Sequence, residues 1–336
     1  MLHAERQQQI AANGASQSAQ PMTDDALPNR FRETVSALVP DFDNSEDILG
    51  LAVSGGPDSI ALLLLAHASF PGRITAASVD HGLRVEARSE CEFVAALCAE
   101  RGIPHQILKP ATPIRGSIQM EARKARYSLL HGWVEHENIT WLATAHHADD
   151  QLETLIMRIL RGSGIDGMSA IRAKRGSIIR PLLRFSKDVL IQFVAGQGIK
   201  PVDDPSNRDL SFDRVRVRDA LSKLSGFDVS LASQSAAALD DARTAIHWMV
   251  DELAAVHIKQ TDDGCSLDKY NFPHEIVRRL LLKCLHICDP ALSPRGSQLE
   301  PLIAGLKQGQ TQTIGNILCQ GGMTWRFAPA PRRNNS

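Results

Sequence analysis

Apolar positions form short runs broken by turn residues over the first two thirds of the chain, and longer helix-spaced sets over the last third. The run ending Leu51-Ala52-Val53 is short and bounded by charged residues, as a strand of a parallel sheet is. Ile60-Ala61-Leu62-Leu63-Leu64-Leu65 is Leu/Ala-rich like a helix. Further strands are predicted at Arg73–Val79, Pro104–Leu108 and Ile139–Thr144. Helices are predicted at about Arg30–Leu38, Val85–Arg101, a stretch after the Pro110, Pro113 and Gly116 loop, and from about Ala148. Such alternation defines an α/β domain on a parallel, Rossmann-like sheet.

Beyond Gly226 the pattern changes. Residues Val229 to about His257 form a long Ala-rich amphipathic helix, with Ile246, Met249, Val250 and Leu253 at helical spacing. Two more helices are expected at about Pro273–Ile287 and Ser297–Lys307. Two short strands, Thr313–Cys319 and Met323–Phe327, are joined by Gly321-Gly322. Three regions follow: a disordered extension over 1–28, rich in Gln, Ala, Ser and Asn; an α/β domain over 29–225; and a mostly helical domain over 226–336.

Composition adds little. At 336 residues the chain accommodates two domains, and 43% hydrophobic with 22% charged residues is average for a globular protein. None of the six cysteines forms a Cys-x-x-Cys pair. Cys284 and Cys288 lie one helical turn apart with His286 facing elsewhere, which suits core thiols better than a metal site. No run approaches the about 20 apolar residues of a spanning helix, so a cytoplasmic protein is expected.

The distribution of polar residues says more. Ser54-Gly55-Gly56-Pro57-Asp58-Ser59 joins strand to helix: its glycines suit positive φ, its serines add hydroxyls, and Pro57 suits a first helical turn. An anion would meet a helix N-terminus there. The turn lacks both the Walker lysine and Gly-x-Gly-x-x-Gly. Asp58 would repel a nucleotide unless Mg²⁺ bridged them, so the motif implies a metal-nucleotide complex.

Other polar clusters end the next strands. Asp80-His81-Gly82-Leu83-Arg84 stands where parallel sheets present ligand loops. Arg123, Arg126 and Tyr127 share a helix face, either solvated or turned to phosphate. In His146-His147-Ala148-Asp149-Asp150-Gln151-Leu152-Glu153-Thr154 the histidines are adjacent rather than i, i+4, against a two-histidine metal site. Its carboxylates suit Mg²⁺ or an ammonium-bearing substrate, or else cap the following helix. Between Arg158 and Arg218, 13 Lys and Arg face 6 Asp, a local +7 in a chain of net charge -1. Arg172, Lys174, Arg175, Arg180 and Arg184, around a Gly176 hairpin, form a band suited to a phosphate backbone, or else a merely solvated face. The alternation Arg214-Val215-Arg216-Val217-Arg218 leaves strand and helix both open.

Seven pieces in order resemble the tRNA(Ile)-lysidine synthetases of the N-type ATP pyrophosphatase, or PP-loop, group: Ser54–Ser59, Val79–Arg84, Glu121–Tyr127, His146–Thr154, Arg161–Gly164, Arg180–Leu183 and Asp204–Asn207. The resemblance covers residues 50–218 and implies a Rossmann-like domain of the adenine nucleotide alpha hydrolase type. It also implies a reaction: ATP with Mg²⁺ adenylates the C2 oxygen of the wobble cytidine of tRNA(Ile) with a CAU anticodon, releasing pyrophosphate, and the ε-amine of L-lysine then displaces AMP to give lysidine. In that reading Asp58, Arg123, Asp150 and Glu153 are catalytic. Ser54, Gly55, Gly56, Pro57, Asp58, Ser59, His81 and Arg84 bind the nucleotide. Asp150 and Glu153 hold the lysine ammonium, Asp58 and Asp149 hold the metal, and Arg172, Lys174, Arg175, Arg180, Arg184, Arg214 and Arg218 meet the tRNA. Whether the chain forms a homodimer is left open.

Val215 departs from the family, which places asparagine there. The rival readings are a PP-loop tRNA thiolation enzyme, which would carry Cys-x-x-Cys pairs, and a non-catalytic RNA-binding protein with a relic nucleotide fold, in which the intact Ser54, Asp58 and Ser59 would be damaged.

Overall fold

The computed structural model describes residues 26–82, 86–110, 118–202, 213–223 and 228–331. The extension expected over 1–28 lies outside the described residues up to residue 25, as do the expected boundary at Gly226 and the Asp204–Asn207 turn. Internal contacts divide the chain into two units, Met1–Ala237 and Ala238–Ser336.

The first unit alternates strand and helix. Helix α1 (Ala26–Leu38) leads into β1 (Leu49–Ala52), α2 (Pro57–Ser69), β2 (Ile74–Val79), α3 (Glu86–Glu100), β3 (His105–Leu108), α4 (Ile118–His136), β4 (Trp141–Ala143) and α5 (Ala148–Leu160). After these come the single turn α6 (Ile165–Met168), a hairpin of β5 (Lys174–Arg175) and β6 (Ile178–Ile179), α7 (Lys187–Gly196) and α8 (Asp213–Ser222). The alternation of Arg and Val over 214–218 is therefore helical.

The six strands lie in the order β3-β2-β1-β4-β6-β5. All pair in parallel except β5, which runs antiparallel on the edge. Leu49 sits in register with Ile74 on one side and Trp141 on the other. Gly50 is required by this packing, since a Cβ there would stand 2.9 Å from Ile139 Cγ2 and 3.1 Å from the Trp133 ring. Helix α2 is apolar around its circumference because both sides are covered: Ile60 to Ala66 are all buried, with the sheet beneath and α1 and α7 against it.

The strand order reverses direction between β1 and β4. In a doubly wound sheet the loops leaving adjacent strands at such a point diverge to opposite faces and leave a crevice at their C-terminal ends.

The second unit takes up the later part of α9 (Val229–His257) and continues through β7 (Ile258–Thr261), β8 (Gly264–Leu267), α10 (His274–Cys288), α11 (Gly296–Lys307), β9 (Thr311–Ile314), β10 (Ile317–Gln320) and β11 (Trp325–Pro329). Its antiparallel sheet has the order β7-β8-β11-β10-β9. The helices lie where their spacing predicted them, but the sheet has five strands. Thr313–Cys319 is not one strand: it turns at Gly315 and Asn316 into the β9/β10 hairpin. Cys265, Cys284 and Cys319 belong to the core of this unit, with Leu280, Trp325 and Phe327. No described helix is long and apolar enough to cross a membrane.

Candidate active site

At the C-terminal end of β1 the chain turns sharply into α2. Val53 N–H still donates to Ala77 O (2.9 Å), so the turn begins on the sheet. Ser59 then ties it together: its hydroxyl accepts from Ser54 N–H (3.1 Å) and donates to Gly56 O (2.9 Å). Gly55 takes φ +89°, whereas Gly56 is the extended N-cap residue (φ −71°, ψ 163°), so only one of the two glycines has the left-handed conformation expected of both. Pro57 occupies the first helical turn as predicted. The unsatisfied N–H groups of that turn leave a partial positive charge at the mouth of the loop. Asp58 stands in the same turn, and its Oδ1 is buried with no hydrogen-bond partner among the described residues.

The facing wall comes from the β4–α5 connection. His147 is the N-cap residue of α5, and its N–H donates to Asp150 Oδ2 (3.1 Å). Its buried imidazole lies 3.5 Å from Asp58, Asp149 and Asp150. Burial opposes its charging, but Asp149 and Asp58 outweigh it and raise its pKa to about 9. His146 behaves oppositely. Burial, reinforced by Arg180, Arg123 and Arg214 against the attraction of Asp150, takes it down to about 4, a neutral ring with Nδ1 2.9 Å from Thr144 Oγ1.

Between these walls lies a cavity of about 520 Å³. Ser54, Gly56, Pro57, Asp58 and Ser59 line it from the loop and His146, His147 and Asp150 from the facing wall. His81 comes from the end of β2, Arg123, Arg126 and Tyr127 from α4, Lys187 from α7, and Arg214 and Arg218 from α8. One compartment thus holds a helix N-terminus, a partnerless carboxylate oxygen and several guanidinium groups. This is equipment for binding and rearranging phosphoryl groups.

Several residues singled out in the sequence have partners of their own in the fold. Glu153 is 3% exposed, does not line the cavity, and accepts Nε of both Arg214 and Arg218 at 2.6 Å. It anchors α8 to α5, whereas Asp150 lines the cavity and accepts from Arg214 Nη2 at 2.6 Å. Arg214 and Arg218 themselves line the cavity. Asp149 accepts from Lys187 N–H (2.8 Å) at the start of α7 and lies outside the cavity lining.

The band around Gly176 is dispersed. Arg175 is exposed, Lys174 donates to Leu38 O (3.0 Å) above the Trp141 ring, and Arg184 is exposed with its carbonyl accepting from Arg30. Arg180 is buried, donating to the carbonyl of Arg172 (2.6 Å). Arg84 lies outside the described residues. Lys187 was missed; Ser186 before it is a helix-capping signal, and Ser186 Oγ accepts from Val189 N–H.

A sheet of this order with such a loop on its first strand defines a PP-loop domain, and residues 27–225 match that family. The chain is 39% identical over 298 residues to the tRNA(Ile)-lysidine synthase of Zymomonas mobilis, covering 86% of this chain and 90% of that protein. It is 36% identical over 319 residues to the tRNA(Ile)-lysidine synthase of Novosphingobium aromaticivorans, covering 91% and 95%. The chain belongs to the tRNA(Ile)-lysidine synthase family.

Proposed function

We propose that the protein is a cytoplasmic ligase that uses ATP to attach L-lysine to C2 of the wobble cytidine of tRNA(Ile) bearing a CAU anticodon. The observation that carries this reading is the cavity between β1 and β4, where the phosphate loop and the solvent-reaching carboxylate Asp150 share one compartment in a chain of this family.

The reaction takes two displacements. The cytidine C2 oxygen attacks the α-phosphorus of ATP and pyrophosphate leaves; the ε-amine of lysine then attacks C2, and the C–O bond breaks to release AMP. The Ser54–Ser59 loop and the α2 N-terminus receive the pyrophosphate. Arg123, which lines the cavity from α4, meets charge developing on the phosphoryl oxygens. Asp150 draws in the ammonium group, which competes with Arg214 for that carboxylate. No protein nucleophile is needed, because holding the reactants in line supplies effective molarities of roughly 10⁵ M or more.

The partnerless Oδ1 of Asp58 fits a divalent cation, which wants carboxylate oxygen and would hold it beside the phosphates. Bound there, Mg²⁺ would neutralise charge on the pyrophosphate as it leaves.

Pyrophosphate release from ATP should require a tRNA(Ile) transcript with the CAU anticodon, and AMP release and repeated turnover should require lysine as well. Equal release from a transcript whose wobble cytidine is replaced by uridine would overturn the reading.

A further inference from the structure

The peptide joining Val53 to Ser54 is where β1 becomes the phosphate loop, and hydroxyl groups hold it from both sides. Its N–H, on Ser54, donates to Ser59 Oγ (3.1 Å), a contact within the loop. Its carbonyl, on Val53, accepts from Ser78 Oγ at 2.8 Å, and Ser78 lies 25 positions away on β2, 1% exposed. This bond stands where the two strands part. Val53 N–H still donates to Ala77 O (2.9 Å), while β2 stays with β3 as far as the bond from Asp80 N–H to Leu108 O (2.9 Å).

Ser78 is itself oriented. His105, the first residue of β3, stands in register with Ala76, so it and Ser78 are diagonal neighbours on one face of the sheet. Its Nε2 lies 3.0 Å from Ser78 Oγ. A serine hydroxyl has one proton, and the Val53 carbonyl can only accept it. Nε2 therefore carries the hydrogen of the second bond, and burial, which lowers the imidazole pKa, favours the neutral ring. Two side chains outside the loop thereby set the plane of the peptide that leads into Ser54, a cavity residue whose Oγ stands 3.3 Å from Ser59 Oγ. A phosphate loop works through the fixed directions of its N–H and O–H groups, and misplacing a reacting group slightly costs rate out of proportion.

We infer that Ser78 and His105 are positioning residues for the reaction: they hold the Val53–Ser54 peptide, and with it the loop, in the orientation that receives the phosphates of ATP. The inference rests on the ATP-using ligase reading above.

The test measures kcat and the KM of ATP, lysine and tRNA for Ser78→Ala, His105→Leu, His105→Gln and the double variant S78A/H105L. Loss of one hydrogen bond in this chain should raise the KM for ATP by about 3- to 10-fold in S78A and in H105L, with the KM for lysine and for tRNA unchanged. H105Q, whose side-chain amide can present an N–H in place of Nε2, should stay close to the wild type. The double variant should be no worse than S78A alone, because His105 acts through Ser78. Losses that multiply in the double variant would overturn the inference, as would H105Q as impaired as H105L. A fall in kcat with every KM unchanged would leave Ser78 a role in the fold alone and overturn it too. His105 is the less buried of the two, so its pair of variants carries the test if S78A does not fold. If the wild type turns over no ATP, the ligase reading itself fails. The same ratios are then read from the Kd of ATP with Mg²⁺, where equal values across the variants would overturn the inference.

Discussion

Nε of Arg214 lies 2.6 Å from Oε2 of Glu153, joining helices α8 and α5 across 61 positions of sequence. Arg218, one helical turn on, reaches the other oxygen of the same carboxylate at 2.6 Å. The two arginines thereby become part of the cavity wall, and Glu153 is their buried counter-charge. Glu153→Gln keeps the shape and removes the charge. The variant should lose about 1–3 kcal/mol, the cost of stripping one partner from buried charged hydrogen bonds, read as a lower urea midpoint. If the midpoint is unchanged, Glu153 does not anchor α8.

The conformations of Gly55 and Gly56 make opposite predictions. Alanine at 55 must adopt φ +89° with its Cβ 3.4 Å from Val202 and 3.6 Å from the Glu90 carbonyl, which should cost about 1–2 kcal/mol. Alanine at 56 has extended backbone and meets nothing nearer than Ser54 Oγ at 3.9 Å. Thermal melts of the two ligand-free variants should differ, with G55A the lower; equal melts would contradict this loop geometry.

Asp58→Asn preserves size and removes the negative charge whose Oδ1 stands unpartnered. Turnover of ATP with Mg²⁺ should fall by about 10²-fold or more, the scale seen when one electrostatic contact to a phosphoryl-type centre is lost. Titration of Mg²⁺ at fixed ATP checks the assignment: the variant should need more metal for half-maximal rate, and an unchanged requirement would remove Asp58 from the metal site.

In the second unit, Glu275 pairs with Arg278 and with the buried Arg279. Arg278 chiefly holds its carboxyl below the ordinary 4.5, with burial opposing and Arg279 adding to the effect. Because the folded value is the lower one, the pair stabilises the unit above the ordinary value, and that contribution is lost as pH falls through the folded value. Glu275→Gln should therefore be less stable than the wild type at pH 7, with the gap closing as pH drops below 4.5. Urea midpoints at several pH values check this; a constant gap would contradict it.

The sheet and both walls of the cavity were legible because each is written locally, as a strand end plus the few residues after it. Ser54–Ser59 and His146–Asp150 needed only that reading. The roles of Glu153 and Asp149 were not legible, because their partners Arg214, Arg218 and Lys187 stand 61, 65 and 38 positions away and chain spacing is silent about such pairs. The geometry of the basic band was hidden for a related reason. Residues clustered in sequence around Gly176 are spread by a two-stranded hairpin, which leaves Lys174 on an edge and sends Arg180 into the interior. The β7/β8 hairpin was hidden by its polar, exposed first strand. The turn at Gly315-Asn316 did carry a hairpin signal, masked by apolar residues on both sides.

The most direct test of the whole account uses purified protein, ATP, Mg²⁺, labelled lysine and tRNA(Ile) with a CAU anticodon. The account predicts label in the tRNA, confined to the wobble nucleoside and dependent on ATP. Protein that binds ATP yet transfers no lysine to that nucleoside would contradict it.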